Sequence, residues 1–235
     1  MLASRGVQVA FGHVHVLRGV DFSVHSGEVV GIVGPNGSGK STFLRTLAGL
    51  AKPFAGTMTM DGRDITSTGV WARVRMGITL VPQGRRLFGP MSVRDNLMLG
   101  AYTRRKNRRA VEADLARWLD VFPLLREKIH KQADELSGGQ QQIVTVVRGL
   151  MSRPKILLLD EPSIGLAPMM VEEVEGFLRE LRAQSTIGIV VVEQNLGLAS
   201  RAADRVVVIK QGANEAEIEP GRLLDSGYLA KVYFE

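Results

Sequence analysis

Three short runs, Val29–Val33, Ile156–Leu159 and Ile189–Val192, are apolar throughout and bounded by turn-forming or charged residues. Strands covered on both faces of a parallel sheet need such runs. Between and after them, apolar positions recur with helical spacing over Ser41–Leu50, Ser137–Met151 and Val171–Leu181. Strands alternating with helices predict an α/β sheet with helices on both faces. The beginning of the chain follows another rule. Val7–Phe11, Val20–Val24 and Thr57–Met60 alternate apolar with polar residues, and Asp61-Gly62 is a strong turn signal. That stretch predicts a small antiparallel sheet attached to the core. The middle, Val93–Leu136, reads as an inserted helical piece: Val111, Leu115, Trp118, Leu119 and Phe122 fall on one stripe of a helix.

Composition narrows the class. The chain has 235 residues, 45% apolar and 23% charged, which excludes disorder and suits one large globular unit. No apolar run approaches the roughly 18 residues of a membrane span, and Met1–Gly19 has no signal-peptide core. There is no cysteine, so no thiol chemistry ties the chain to a redox compartment, and cytoplasm is the default expectation. The net charge of +6 admits nucleic acid, an anionic membrane surface or a phosphorylated ligand. Five of those charges lie in Arg104-Arg105-Lys106-Asn107-Arg108-Arg109, and the rest of the chain carries +1. The charge is therefore local and is no argument for nucleic acid. Such a run is ordinarily a solvated face.

Gly34-Pro35-Asn36-Gly37-Ser38-Gly39-Lys40-Ser41 fits G-x-x-x-x-G-K-[ST], with the buried run Val29–Val33 ahead and a helical pattern from Thr42 behind. The glycines let several N–H groups converge on one anion, and the helix N-terminus adds its positive end. Lys40 supplies a charge for the β- and γ-phosphates, and the Ser41 hydroxyl is placed for Mg²⁺. Lys155–Leu159 ends in Asp160-Glu161-Pro162, a strand closing on two carboxylates. Ligands sit at the carboxyl ends of strands in such sheets. Neighbouring strand residues point opposite ways, so the two carboxylates are expected to differ in role. Asp160 suits the Mg²⁺ shell, and Glu161 suits orienting and deprotonating the attacking water.

Leu136-Ser137-Gly138-Gly139-Gln140 opens the next helical pattern, and Ser137 with paired glycines makes a second anion site there. One nucleotide does not need two such sites from one chain, so this one is expected to face a nucleotide held by another subunit. In this order the motifs resemble the ATP-binding subunits of ABC transporters over essentially the whole chain. The resemblance implies a P-loop NTPase ABC ATPase core of the α/β class, with an N-terminal antiparallel β-subdomain and an inserted α-helical subdomain. Residues 1–92 and 154–235 would form the core with the β-subdomain, and residues 93–153 the helical subdomain with the signature. It also implies a site for each remaining residue. Gln83 matches the glutamine that senses Mg²⁺ and the γ-phosphate. Phe11 matches the aromatic that stacks on adenine. Gly34 to Thr42 bind the phosphates of ATP, and Ser137 to Gln140 contact the partner subunit's ATP. Gln194 stands where most relatives have a histidine on the γ-phosphate; an amide cannot take a proton there, which shifts weight to Glu161. Ala167 stands where an aspartate is common in the loop after the acidic strand. His13, His15, His25 and His130 lie away from all of these motifs and read as surface or structural.

Glu193-Gln194-Asn195, Pro162-Ser163-Ile164-Gly165-Leu166-Ala167-Pro168 and Val81-Pro82-Gln83-Gly84-Arg85-Arg86 are similar to the LivF type of branched-chain amino acid importer subunit. Urea and short-amide importers are near relatives, and other amino acids or lipid export remain alternative cargoes. The chain runs about 25 residues past Val206–Lys210, too few for the C-terminal regulatory domain of some importers. The resemblance implies ATP and Mg²⁺ as cofactors and a second nucleotide-binding subunit, of LivG type, as heterodimer partner. It further implies two membrane permeases, a periplasmic substrate-binding protein reached through them, and a peripheral place on the cytoplasmic face of the inner membrane. No nucleic acid is expected. A soluble ABC ATPase acting on nucleic acid or ribosomes is the rival of another class. It ordinarily needs two cassettes or a long coiled-coil insert. The insert's position toward the membrane in this family makes anionic headgroups the alternative partner for Arg104–Arg109.

Overall fold

The computed structural model describes residues 1–225. The chain begins with β1 (Leu2–Phe11), β2 (Val14–Val24), β3 (Val29–Val33), α1 (Lys40–Leu47), β4 (Ala55–Met60) and β5 (Arg63–Asp64). It continues through α2 (Val70–Met76), β6 (Ile78–Val81), α3 (Val93–Gly100), α4 (Arg108–Val121), α5 (Pro123–Lys128) and α6 (Gly138–Leu150). It ends in β7 (Ile156–Asp160), α7 (Pro168–Gln184), β8 (Gly188–Val192), α8 (Leu196–Ala202), β9 (Arg205–Lys210) and β10 (Ala213–Ile218).

The larger sheet has the order β10-β9-β3-β8-β7-β6. The four pairings among β9, β3, β8, β7 and β6 are parallel, and β10 closes one edge antiparallel to β9. Every residue of β3, β7 and β8 is buried, as their unbroken apolar runs require. Alternate residues of β7 serve opposite faces. Ile156 and Leu158 pack with Phe43, Leu44 and Leu47 of α1 and with Leu2, Val7 and Leu17 of the small sheet. Leu157 and Leu159 pack with α6 and α7, and that cluster runs on into Val111, Leu115, Trp118 and Phe122. Phe122 joins the two parts of this layer, its ring 4.4 Å from that of Phe177. The predicted stripe is thus the buried face of α4, with Leu119 packed at its margin.

The small sheet is antiparallel, β2-β1-β4-β5, and turns at Asp61-Gly62, both with positive φ. Its first two strands are longer than the alternation indicates. Register shifts between Ser4 and Val7, between Val7 and Gln8, and between Val9 and Ala10 interrupt the alternation. Arg73 joins this sheet to α1. It is 1% exposed, and its guanidinium donates to the carbonyls of Thr46, Leu47, Ile65, Thr66 and Thr68. Two of those carbonyls end α1, where a cation also complements the helix dipole.

The basic run departs from a single solvated face. Arg105 to Arg109 are exposed, but Arg104 turns inward and bonds Asp114 at 2.5 Å and the Met151 carbonyl at 2.9 Å. Asp114, on α4, also takes a two-pronged contact from Arg153, just before β7. Two guanidiniums matched to one buried carboxylate explain the inward turn. Asn107 is spent as the N-cap of α4, accepting from the Ala110 N–H. All four histidines are exposed, and His15 stacks edge-on against Phe54. No helix among the described residues is long and apolar enough to cross a membrane. Of the stretch beyond β9, residues 226–235 lie outside the described residues.

Candidate nucleotide-binding site

β3 delivers the chain to Gly34 at the carboxyl edge of the sheet. There φ is +150°, and a Cβ would lie 1.9 Å from the Ile209 carbonyl oxygen, so no other residue fits. Gly39 enters α1 with φ +101°, and a Cβ there would strike Leu17 at 2.8 Å. Lys40 is the first residue of α1 and is 4% exposed. Its ammonium donates to the carbonyls of Gly34 at 2.8 Å and Pro35 at 2.9 Å, which folds it across the loop. Burial lowers its pKa, while Glu161 and Asp160 oppose the shift. The Ser38 hydroxyl is buried without a partner, alone in this respect among the described residues. A buried hydroxyl without a partner is costly. In a loop that also holds the Lys40 ammonium, it suits an anionic acceptor from outside the chain.

The acidic strand end closes the other side. The Ser41 hydroxyl donates to Asp160 at 2.8 Å. Burial raises the Asp160 pKa, and nearby Glu161 adds to the rise, against the pull of the Ser41 hydrogen bond. Glu161 is not an extension of the strand. Its φ is +49°, and its N–H donates to the Val192 carbonyl at 2.9 Å. The alternation expected for adjacent strand residues therefore does not extend to Glu161, because β7 ends at Asp160 and the next residue is left-handed. The Glu161 carboxylate accepts from the Gln83 amide at 2.9 Å and from the Gln194 amide at 2.7 Å, one on each oxygen. Val16, Asn36, Gly37, Gly39, Lys40, Ser41, Thr42, Gln83, Glu161 and Gln194 line one cavity of about 410 Å³.

The family described as ABC transporter matches residues 17–164. The chain belongs to that family. It is 37% identical to the high-affinity branched-chain amino acid transport ATP-binding protein BraG of Pseudomonas aeruginosa, over 90% of each chain. It is 34% identical to a probable branched-chain amino acid transport ATP-binding protein, LivF, of Archaeoglobus fulgidus, over 90% of this chain and 89% of that one. A glutamate transport ATP-binding protein, GluA of Corynebacterium glutamicum, is 38% identical over 94% of this chain and 91% of its own. Among solved structures, an ABC transporter cassette in an ADP conformation superposes with a TM-score of 0.88 at 27% identity, covering 99% of this chain and 97% of that one. The chain is thus an ABC ATPase subunit with a nucleotide-binding cassette.

Not every expected site residue of the cassette meets in the cavity. Phe11 ends β1 with 58% of its surface exposed and is not part of the lining, whereas Val16, across the hairpin, is. Ser137 to Gln140 lie elsewhere, at the start of α6 beside α7. A Cβ on Gly138 would lie 3.2 Å from Leu166 and 3.4 Å from Met170. Ser137 and Gln140 form a reciprocal capping box, each side chain accepting from the other's N–H. The first bond within α6 comes from Gln141, so the N–H groups of Gly138 and Gly139 remain for an outside acceptor.

Sequence reasoning passed over Glu193. It is 1% exposed, and its carboxylate accepts from the Ser163 N–H and hydroxyl and from the N–H groups of Gln194 and Asn195. The signal for it in the sequence is an acidic residue directly after an apolar strand.

Proposed function

We propose that this chain binds and hydrolyses ATP to drive a branched-chain amino acid importer. The observation that carries the catalytic reading is Glu161, fixed by two amides at the mouth of the phosphate loop. An amide donor on each oxygen leaves lone pairs free to take a proton from water. Lys40 and the α1 N-terminus bind the phosphates, and Gln83 and Gln194 orient Glu161 and report on the γ-phosphate. Phe11 offers an exposed ring for adenine on the loop side of β1.

Mg²⁺ fits the donor set. Among the described residues no group of three or more His, Cys, Asp or Glu could hold a metal. Ser41, Asp160 and Gln83 offer hard oxygen ligands and would hold Mg²⁺ together with the nucleotide. Bound there, it would neutralise charge on the phosphate oxygens.

The free amides at Gly138 and Gly139 support a sandwich dimer in which Ser137 to Gln140 close on the partner's ATP, the partner being a second, LivG-type cassette. ATP would glue the pair because its γ-phosphate is contacted from both sides. Residues 93–153 would act as the arm toward two permeases and, through them, a periplasmic binding protein. A groove of about 400 Å³ between α2, α3 and α6, edged by exposed Phe88 and Leu99, supports a permease contact there. The chain would then work at the cytoplasmic face of the inner membrane.

Uptake in a strain lacking the chain tests both activity and cargo. Restoring the chain should restore leucine uptake, and Lys40→Ala should not. Restored glutamate uptake with unchanged leucine uptake would overturn the cargo.

A further inference from the structure

Glu193 is a buried carboxylate without a cation. Among the described residues no Lys, Arg or His lies within ion-pair distance of it. Burial raises its pKa against the pull of its hydrogen bonds. A group so costly to bury persists where its donors are arranged around it. Those donors come from two segments that border the site. Oε1 accepts from the Ser163 N–H at 2.9 Å, and Oε2 from the Ser163 hydroxyl at 2.8 Å. Oε2 also accepts from the N–H groups of Gln194 at 3.1 Å and Asn195 at 3.2 Å. The Glu193 N–H donates to the Ile32 carbonyl, two residues before Gly34.

Both segments end on the same catalytic group. Ser163 lies two residues after Glu161. Gln194 follows Glu193 directly, and its side chain holds Glu161 Oε1 at 2.7 Å. The backbone of Glu161 is itself in a left-handed turn that local sequence does not favour. A position of that kind holds only when its surroundings fix it. We infer that Glu193 is a positioning residue for ATP hydrolysis: its carboxylate locks the Ser163 loop to the Gln194 loop and so sets Glu161 and Gln194 against each other. The loop after Ser163 carries Ile164 to Ala167 toward the start of α7, beside the signature glycines. Glu193 therefore ties the hydrolytic carboxylate of one site to the segment bordering the surface offered to the other. This inference rests on the ATPase reading of the same cavity.

Glu193→Gln keeps the shape but must turn an NH₂ toward N–H donors, whichever way the amide lies. Ser163→Ala removes one donor from the other side of the lock and leaves the backbone intact. In the full-length chain, both variants should lower kcat by about tenfold or more while the Kd for ATP stays within about threefold. The double variant should fall no further than Glu193→Gln alone. In NMR spectra of the full-length chain, the Gln194 side-chain amide signals should move toward free-amide positions in both single variants. A purely structural hydrogen-bond hub would instead lower Tm and leave kcat per folded molecule and the Gln194 signals unchanged, which would overturn the inference. Should Glu193→Gln fail to fold, Ser163→Ala still decides by the same readouts. Wild-type chain that neither binds nor hydrolyses ATP would overturn the ATPase reading instead.

Discussion

On the proposed reading, Glu161 and Gln194 divide the chemistry at the residue scale. A carboxylate can take a proton from water, and an amide can only point and donate. Gln194→Ala should therefore lower kcat by about tenfold, because Glu161 keeps the Gln83 bond and its protonation chemistry, whereas loss of the base itself costs at least about 100-fold. Comparison of the two turnover rates checks this, and equal losses would make the amide as essential as the carboxylate. Contiguous motifs were legible at this scale: the phosphate loop, Asp160-Glu161 and Ser137–Gln140 each present their chemistry within a few neighbouring positions. Residues that depend on distant partners were not. Glu193 gains its meaning from Ser163, and Arg73 from carbonyls on α1 and after β5, partners that lie outside their own motifs. The strand rule does not reach Glu161, because β7 ends at Asp160 and Glu161 is left-handed.

Strand and helix identity followed from pattern, and element ends followed from capping. The run Val171–Leu181 becomes α7 from Pro168 to Gln184, since Pro at the first turn gives up no hydrogen bond. β1 and β2 outran their alternation because register shifts break the period of two. Asp114 ties α4 to Arg104, in the turn before it, and to Arg153, just before β7. Burial alone would raise the Asp114 pKa, but hydrogen bonds from Arg153 and Arg104 outweigh it and lower the pKa below 3.8. A depressed carboxyl pKa contributes stability that is present above the unfolded value and lost as pH falls through the folded value. Asp114→Asn should therefore unfold earlier than wild type at neutral pH, by about 1–3 kcal/mol, and the gap should close below the usual carboxylate range. Denaturant titrations at several pH values check this, and a gap independent of pH would mean that packing, not charge, holds the arm.

At the scale of the molecule, the net charge of +6 resolves into parts with separate jobs. Arg104 is structural, while Lys106, Arg108 and Arg109 remain exposed on the helical arm. Family membership and the cassette fold were legible because motif order along the chain is itself the fold's order of strands and loops. The separation of the signature from its own phosphate loop was legible only through the resemblance, since no spacing rule says where a helix start will face. The account as a whole rests on the cavity binding ATP and on Glu161 driving its hydrolysis. The most direct test is ATP turnover by full-length Glu161→Gln against wild type at saturating ATP, with binding of both followed by calorimetry. The account predicts ATP affinity within about threefold of wild type and turnover reduced at least about 100-fold; wild-type turnover in Glu161→Gln would contradict it.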